Sequence, residues 1–254
     1  MSLDAFRVEG KNALVTGSLR GIGAAIAVAL AGAGANVVCH GRAGDCGEVC
    51  EEVRRLGRKA AYVAGDVADA AVSPELIEKT VGELGSIDIL VNNAGIIRRA
   101  PAAEYSGEDW DEVIAVNLTA VFRLSQLAAQ WMLRQGRPGK IVNIGSVLSF
   151  QGGILVPAYA AAKGGIAQLT RALANEWASK KINVNAIAPG YVAADNTTAL
   201  RNDPTRSRQI LERIPAGRWG EPGDIGGAAV FLCSGASDYV HGHVLVVDGG
   251  WLGR

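Results

Sequence analysis

Tyr159 and Lys163 stand four residues apart in the run Tyr-Ala-Ala-Ala-Lys. In a helix that spacing puts both on one face. A free tyrosine titrates near pH ~10, too high for proton transfer at neutral pH. A lysine ammonium beside the ring favours the phenolate and is expected to lower that value. Taken alone, the pair is better read as a tyrosine packed in a core and a lysine reaching back to water. A second group weighs against that reading. Thr16-Gly17-Ser18-Leu19-Arg20-Gly21-Ile22-Gly23 follows a short apolar run and precedes Ile26 and Leu30 at helical spacing. Glycines there let a backbone approach a pyrophosphate, and a helix N-terminus supplies N–H donors and a positive dipole end. The spacing is Gly-x-x-x-Gly-x-Gly, not the commoner Gly-x-Gly-x-x-Gly.

These residues need elements to hold them. Short apolar runs predict strands at Ala13–Thr16, Asn36–His40, Ala60–Gly65, Ile87–Asn92, Lys140–Ser146, Asn183–Ala188 and Val244–Asp248. Near-continuous apolar runs are expected when both faces of a parallel sheet are covered. Helices are predicted between them at Gly21–Ala31, Gly47–Leu56, Pro74–Leu84, Trp110–Arg134, Ala158–Ser179 and Asp224–Cys233. This alternation predicts an α/β fold: one Rossmann-type domain over residues 1–254, a doubly wound parallel sheet of about seven strands with helices on both faces. The polar stretch 191–222 falls outside the pattern and reads as a substrate lid.

Composition excludes several classes. The chain has 254 residues, 33 of them glycine, almost twice the usual ~7%. With 49% hydrophobic residues and only 8 prolines it is neither collagenous nor disordered, so the glycines serve turns and close approaches. Lys plus Arg is 25 and Asp plus Glu is 25. That balance offers no basic field for nucleic acid or a membrane surface. From Gly21 to Cys39 no residue is charged, yet Ala and Gly dominate and Asn36 interrupts, so a helix, turn and buried strand are expected rather than a membrane span. Cys39, Cys46, Cys50 and Cys233 lack metal-site spacing and are expected as free buried thiols. His241 and His243 share a strand face without further ligands, so no metal is expected and both are read as structural. The N-terminus carries no apolar signal segment, and the expected location is cytoplasmic.

The glycine spacing resembles the short-chain dehydrogenase/reductase family, and later motifs repeat the resemblance in the family's order. Asn92-Asn93-Ala94-Gly95 follows the fourth predicted strand. Asn117 falls at the family's catalytic asparagine position, Ser146 ends the fifth strand, Tyr159 and Lys163 form Tyr-x-x-x-Lys, and Pro189-Gly190 follows the sixth. The resemblance implies a nicotinamide-dependent oxidoreductase. In it Ser146 bonds the substrate oxygen, Tyr159 passes the proton, Lys163 also holds the nicotinamide ribose, and Asn117 anchors a water relay to Lys163. Cofactor contacts would come from Gly17, Ser18, Arg20, Gly21, Ile22, Gly23, Arg42, Asp66, Val67, Asn93, Gly95, Pro189, Gly190 and Val192, with Tyr159 and Lys163. The family commonly has threonine where this chain has Ala194, which removes one nicotinamide contact. Family members are commonly tetramers, and a homotetramer is expected.

No acid lies between Gly10 and Gly44, the region that would hold a ribose 2′-hydroxyl in an NAD enzyme. Arg20 and Arg42 could instead meet a 2′-phosphate, so NAD and NADP both stay open. The segments Asn93–Arg99, Ser149–Gly153, Ala188–Tyr191, Ile214–Gly220 and Val247–Arg254 look like the family's sugar-acid members. They imply a small sugar acid as substrate, its alcohol and ketone interconverted. Ser146, Tyr159, Arg98, Arg99, Gln151 and Asn196 are the candidate substrate contacts, with one of the arginines clamping a carboxylate. The alternatives are a 3-oxoacyl thioester reductase and a non-catalytic dinucleotide-binding regulator. The complete serine–tyrosine–lysine set argues against the regulator.

Overall fold

The computed structural model describes residues 3–42, 44 and 47–254. Seven strands form one all-parallel sheet: β1 (Asn12–Val15), β2 (Asn36–Gly41), β3 (Ala60–Ala64), β4 (Ile89–Asn92), β5 (Gly139–Ile144), β6 (Ile182–Pro189) and β7 (Val244–Val247). Their order is β3-β2-β1-β4-β5-β6-β7. Val15 pairs with Cys39 of β2 on one side and with Val91 of β4 on the other. Chain order therefore reverses between β1 and β4, and such a reversal opens a crevice beyond the C-terminal strand ends. Strands β1, β4 and β6 are buried along their whole length, as their mostly apolar composition requires.

Helices cover both faces. On one lie α1 (Gly21–Gly32), α2 (Gly47–Arg55) and α9 (Gly223–Cys233), burying Ile26, Leu30, Val53, Ile225 and Leu232. On the other lie α3 (Val72–Leu84), α5 (Ala120–Arg134) and α6 (Pro157–Trp177), burying Leu76, Leu124, Met132, Leu173 and Trp177. Two separate cores, one per face, are what a doubly wound sheet must have.

Several expectations change. The helix read over 110–134 is α4 (Gly107–Ile114), a π-helical stretch Ala115–Thr119, and α5. The whole stretch Gly107–Arg134 is long and apolar enough to cross a membrane, but α5 packs its apolar side into the core. The lid stretch is not plain loop: it contains α7 (Thr198–Asn202) and α8 (Pro204–Arg213). Asp203 starts α8 by accepting the N–H groups of Thr205 and Arg206 at 2.9 and 3.0 Å, and Pro204 presets the first turn. Cys39 and Cys233 are free and buried, but Cys50 is disulfide-bonded, which corrects the free-thiol expectation there. Cys46 lies outside the described residues. Cysteine count and spacing do not determine pairing, and the inference from thiols to a reducing compartment loses one support. His241 lies 3.3 Å from the Asn183 amide beside β6. Among the described residues no cluster of metal-ligating side chains occurs.

Candidate active site

The crevice is a cleft of about 530 Å³ above the strand ends. Its floor is the glycine loop between β1 and α1. Gly17 has φ +61°, and a Cβ there would stand 2.9 Å from the Ala94 Cα. A Cβ on Gly23 would stand 2.2 Å from the Gly17 carbonyl oxygen and 2.4 Å from Asn93 Nδ2. Only glycine fits at either position. Asn93 donates from Nδ2 to the carbonyls of Thr16 and Gly17, both at 2.9 Å, and Thr16 Oγ1 accepts from the Asn93 and Ala94 N–H groups. The Asn-Asn-Ala-Gly turn and the glycine loop are thus one braced unit.

At the other end stand Ser146, Tyr159 and Lys163. Ser146 lies just past β5, while Tyr159 and Lys163 occupy successive turns of α6. Lys163 is 4% exposed, and its Nζ donates to the Ile144 carbonyl at 2.6 Å and sits 5.5 Å from the Tyr159 ring centre. No carboxylate pairs with it among the described residues, and burial holds its pKa down to about 8. Tyr159 runs against expectation: burial pushes its pKa up, opposed by a hydrogen bond with Ser146 and by the charge of Arg99. The expected depression by Lys163 does not act: burial of the phenolate dominates, and the lowering influences are Ser146 and Arg99. Ser149 fixes the set by donating to the Lys163 carbonyl at 2.8 Å while its oxygen accepts the Ser146 N–H at 3.2 Å.

Most expected site residues line this cleft: Gly17, Arg20, Gly21, Ile22, Gly23, Arg42, Asp66, Val67, Asn93, Gly95, Pro189, Gly190, Val192 and Asn196, besides the three above. Arg42 stands 3.9 Å from Asp66, and Asp66 also accepts the Ala68 N–H, so it is both cleft wall and turn former. Four expectations fare differently. Ser18 is fully buried, and its hydroxyl accepts the His40 N–H, so it braces the loop from behind. Arg98 is held by Glu112 through two 2.9 Å bonds, with Asp109 at 3.5 Å. Gln151 is not among the residues lining the cleft, and its N–H donates to the Val147 carbonyl. Asn117, in the π-helical stretch, accepts the Ile96 N–H and donates to the Ile96 carbonyl at 2.9 and 2.7 Å, so its side chain fixes the loop after β4.

Arg99, a fifth, is also not among the residues lining the cleft; it donates at 2.9 Å to the carbonyl of Asn196, which is, and has no carboxylate partner among the described residues. Leu19, His40, Gly41, Ala194, Asp195 and Thr197 also line the cleft, beyond the residues that the motifs marked. Asp195 reaches Arg20 at 2.5 Å across the cleft mouth. Thr197 was out of reach of sequence reasoning; its hydroxyl accepts the Ala194 N–H at 3.1 Å and caps the turn. Leu19 falls inside the glycine-loop motif, whereas no spacing signal marks His40, Gly41, Asp195 or Thr197.

The cradle fits a dinucleotide. Its glycine floor admits no Cβ, a helix N-terminus faces it, and a buried ammonium at its far end uses one carbonyl and has donors to spare. The chain belongs to the short-chain dehydrogenase/reductase family, and residues 17–252 match the family model described as enoyl-(acyl carrier protein) reductase. It is an NAD(P)-dependent oxidoreductase acting on a CH–OH group. It is similar to 2-dehydro-3-deoxy-D-gluconate 5-dehydrogenase of Dickeya dadantii, 52% identical over 254 residues and 100% of both chains. It is also similar to the Bacillus subtilis enzyme of that name, 53% identical over 99% of this chain and 98% of that one. A crystal structure of a gluconate 5-dehydrogenase from Burkholderia cenocepacia, in complex with NADP and tartrate, superposes with TM-score 0.95 at 42% identity, covering 100% of both chains.

Proposed function

We propose that the protein interconverts the alcohol and ketone of a deoxy sugar acid of the 2-dehydro-3-deoxy-D-gluconate or 2-deoxy-D-gluconate type, with Tyr159 as the proton-transfer group. The bound nicotinamide would supply or accept the hydride. Lys163 and Tyr159 would hold its ribose, the glycine loop its pyrophosphate, and Asp66 and Val67 its adenine side. Ser146 would donate to the substrate oxygen where charge develops. Tyr159 would give its proton to that oxygen in reduction and take it back in oxidation. Ser146 and Arg99 would lower the cost of the phenolate, and Asn117 would hold the relay side of the site by fixing Ile96.

The observation that carries the sugar-acid reading is Arg99. It stands at the substrate end with an unpaired guanidinium, bonded to Asn196 and near enough to Tyr159 to bias its ionisation. We assign the carboxylate to Arg99 rather than Arg98, which is neutralised by Glu112. Arg99→Ala is expected to raise KM for the acid ~10–100-fold, the worth of a charge-assisted pair, with little effect on a neutral analogue. Arg98→Ala should leave acid preference intact. An unchanged preference in Arg99→Ala would place the clamp elsewhere. Nothing comparable favours an acyl thioester substrate, and a pure regulator has no use for Tyr159. The stretch 191–222 serves as the lid, the location is cytoplasmic and the assembly a homotetramer; sedimentation at working concentration tests the last.

A further inference from the structure

Three segments of the nucleotide cleft meet at one buried side chain that no motif marks. His40, near the end of β2, is 2% exposed. Its Nδ1 accepts the N–H of Gly17, the first glycine of the loop, at 3.2 Å. Its Nε2 lies 3.0 Å from the Gly65 carbonyl, an acceptor only, so the proton sits on Nε2. Its backbone is tied to the same loop: its N–H donates to Ser18 Oγ at 3.0 Å and its carbonyl accepts the Ser18 N–H at 2.9 Å. The ring therefore spans from the glycine loop to the residue just before Asp66. Its neighbour could not take over the task, because a Cβ on Gly41 would stand 2.4 Å from Leu19 Cδ1.

We propose that His40 is a positioning residue for the dinucleotide: as the neutral Nε2–H imidazole it clips the glycine loop to the end of β3 and so sets cofactor affinity. The inference rests on the dinucleotide reading of the cleft. Protonation would put a second N–H at Nδ1, facing the Gly17 N–H, and the clip would open. The Asp66 carboxylate favours that cation, whereas Arg20 and Arg42, lining the same cleft, oppose it. Cys39, on the same strand, adds no charge, because burial pushes its thiol up to about 11. Burial likewise holds the imidazole below its ordinary value, so the clip is closed at neutral pH.

His40→Asn keeps an acceptor oxygen near the Nδ1 position and cannot be protonated, whereas His40→Leu removes both ring contacts. NADPH binding is titrated by fluorescence at neutral pH in the wild type and both variants, beside thermal melting and kcat. We expect His40→Leu to weaken binding about tenfold or more with kcat at saturating NADPH nearly unchanged, and His40→Asn to recover most of the loss. On acidification below the ordinary imidazole range the wild type should lose affinity relative to His40→Asn, a ratio that cancels ionisation of the ligand's own phosphate. Should His40→Leu fail to fold, this acid-side ratio still decides. Wild-type affinity in a folded His40→Leu, or a ratio that stays flat with pH, overturns the clip. A wild type that binds neither NADPH nor NADH overturns the dinucleotide reading itself, and the clip with it.

Discussion

Lys163 is an ammonium in the interior with one carbonyl partner, an arrangement that costs stability and is retained for function. Its pKa is about 8 folded against 10.5 unfolded. Between those values the unfolded chain binds more protons, so wild-type stability rises with pH through that window, and the penalty is fully present below about 8. Lys163→Met is therefore expected to abolish turnover yet melt several degrees higher at pH ~7, a gain of up to ~3 kcal/mol that shrinks as pH approaches ~10.5. Melting curves across that range check it; a variant less stable than wild type at neutral pH contradicts it. At this scale the sequence was a good guide to Ser146, Tyr159 and Lys163, because their spacing and order are one-dimensional. It could not tell Arg98 from Arg99. The difference is a neighbour, Glu112, which only the fold brings to Arg98.

The elements were legible where burial is complete. Strands β1, β4 and β6 are buried end to end and mostly apolar, so their positions were readable to within a few residues. Helix α8 was not, since only Ile210 of Pro204–Arg213 is buried and a polar helix carries no apolar stripe. Its sole signal is Asp203-Pro204, a cap followed by a first-turn proline. The π-helical stretch around Asn117 has no signature at all. The glycine loop is the element whose tolerance is most sharply defined. Gly23→Ala would press a methyl against the Gly17 carbonyl and the Asn93 amide, which cannot yield without moving the loop. We expect a loss of ~1–3 kcal/mol in stability and a much larger loss of cofactor affinity. Gly32→Ala, with open space around it, is the control and should leave binding unchanged. Equal effects of the two substitutions on NADPH titration would contradict the account.

The whole molecule has formal net charge +0, and its ligands are anionic. The few cations placed around the cleft must therefore do the selecting, rather than a long-range field. Arg20 and Arg42 line the cleft, where they meet Asp195 and Asp66, and a Cβ on Gly41 would stand 2.4 Å from Leu19 Cδ1. We expect turnover with both NAD and NADP. Arg42→Ala should raise KM for NADP about tenfold while sparing NAD, as loss of a charge-assisted contact predicts. Saturation kinetics with each cofactor decide it, and a ~1,000-fold bias either way contradicts dual use. The central claim lies in the joining of this cleft to Tyr159. Its most direct test is reduction of a 3-deoxy keto sugar acid by wild type and Tyr159→Phe, followed at saturating NADPH or NADH with cofactor binding measured alongside. The account predicts turnover by the wild type, a loss of ~100–10,000-fold in Tyr159→Phe, and a loss of cofactor affinity no larger than the ~10-fold of one missing ribose hydrogen bond. Undiminished turnover in Tyr159→Phe, or none by the wild type on any sugar acid, would contradict it.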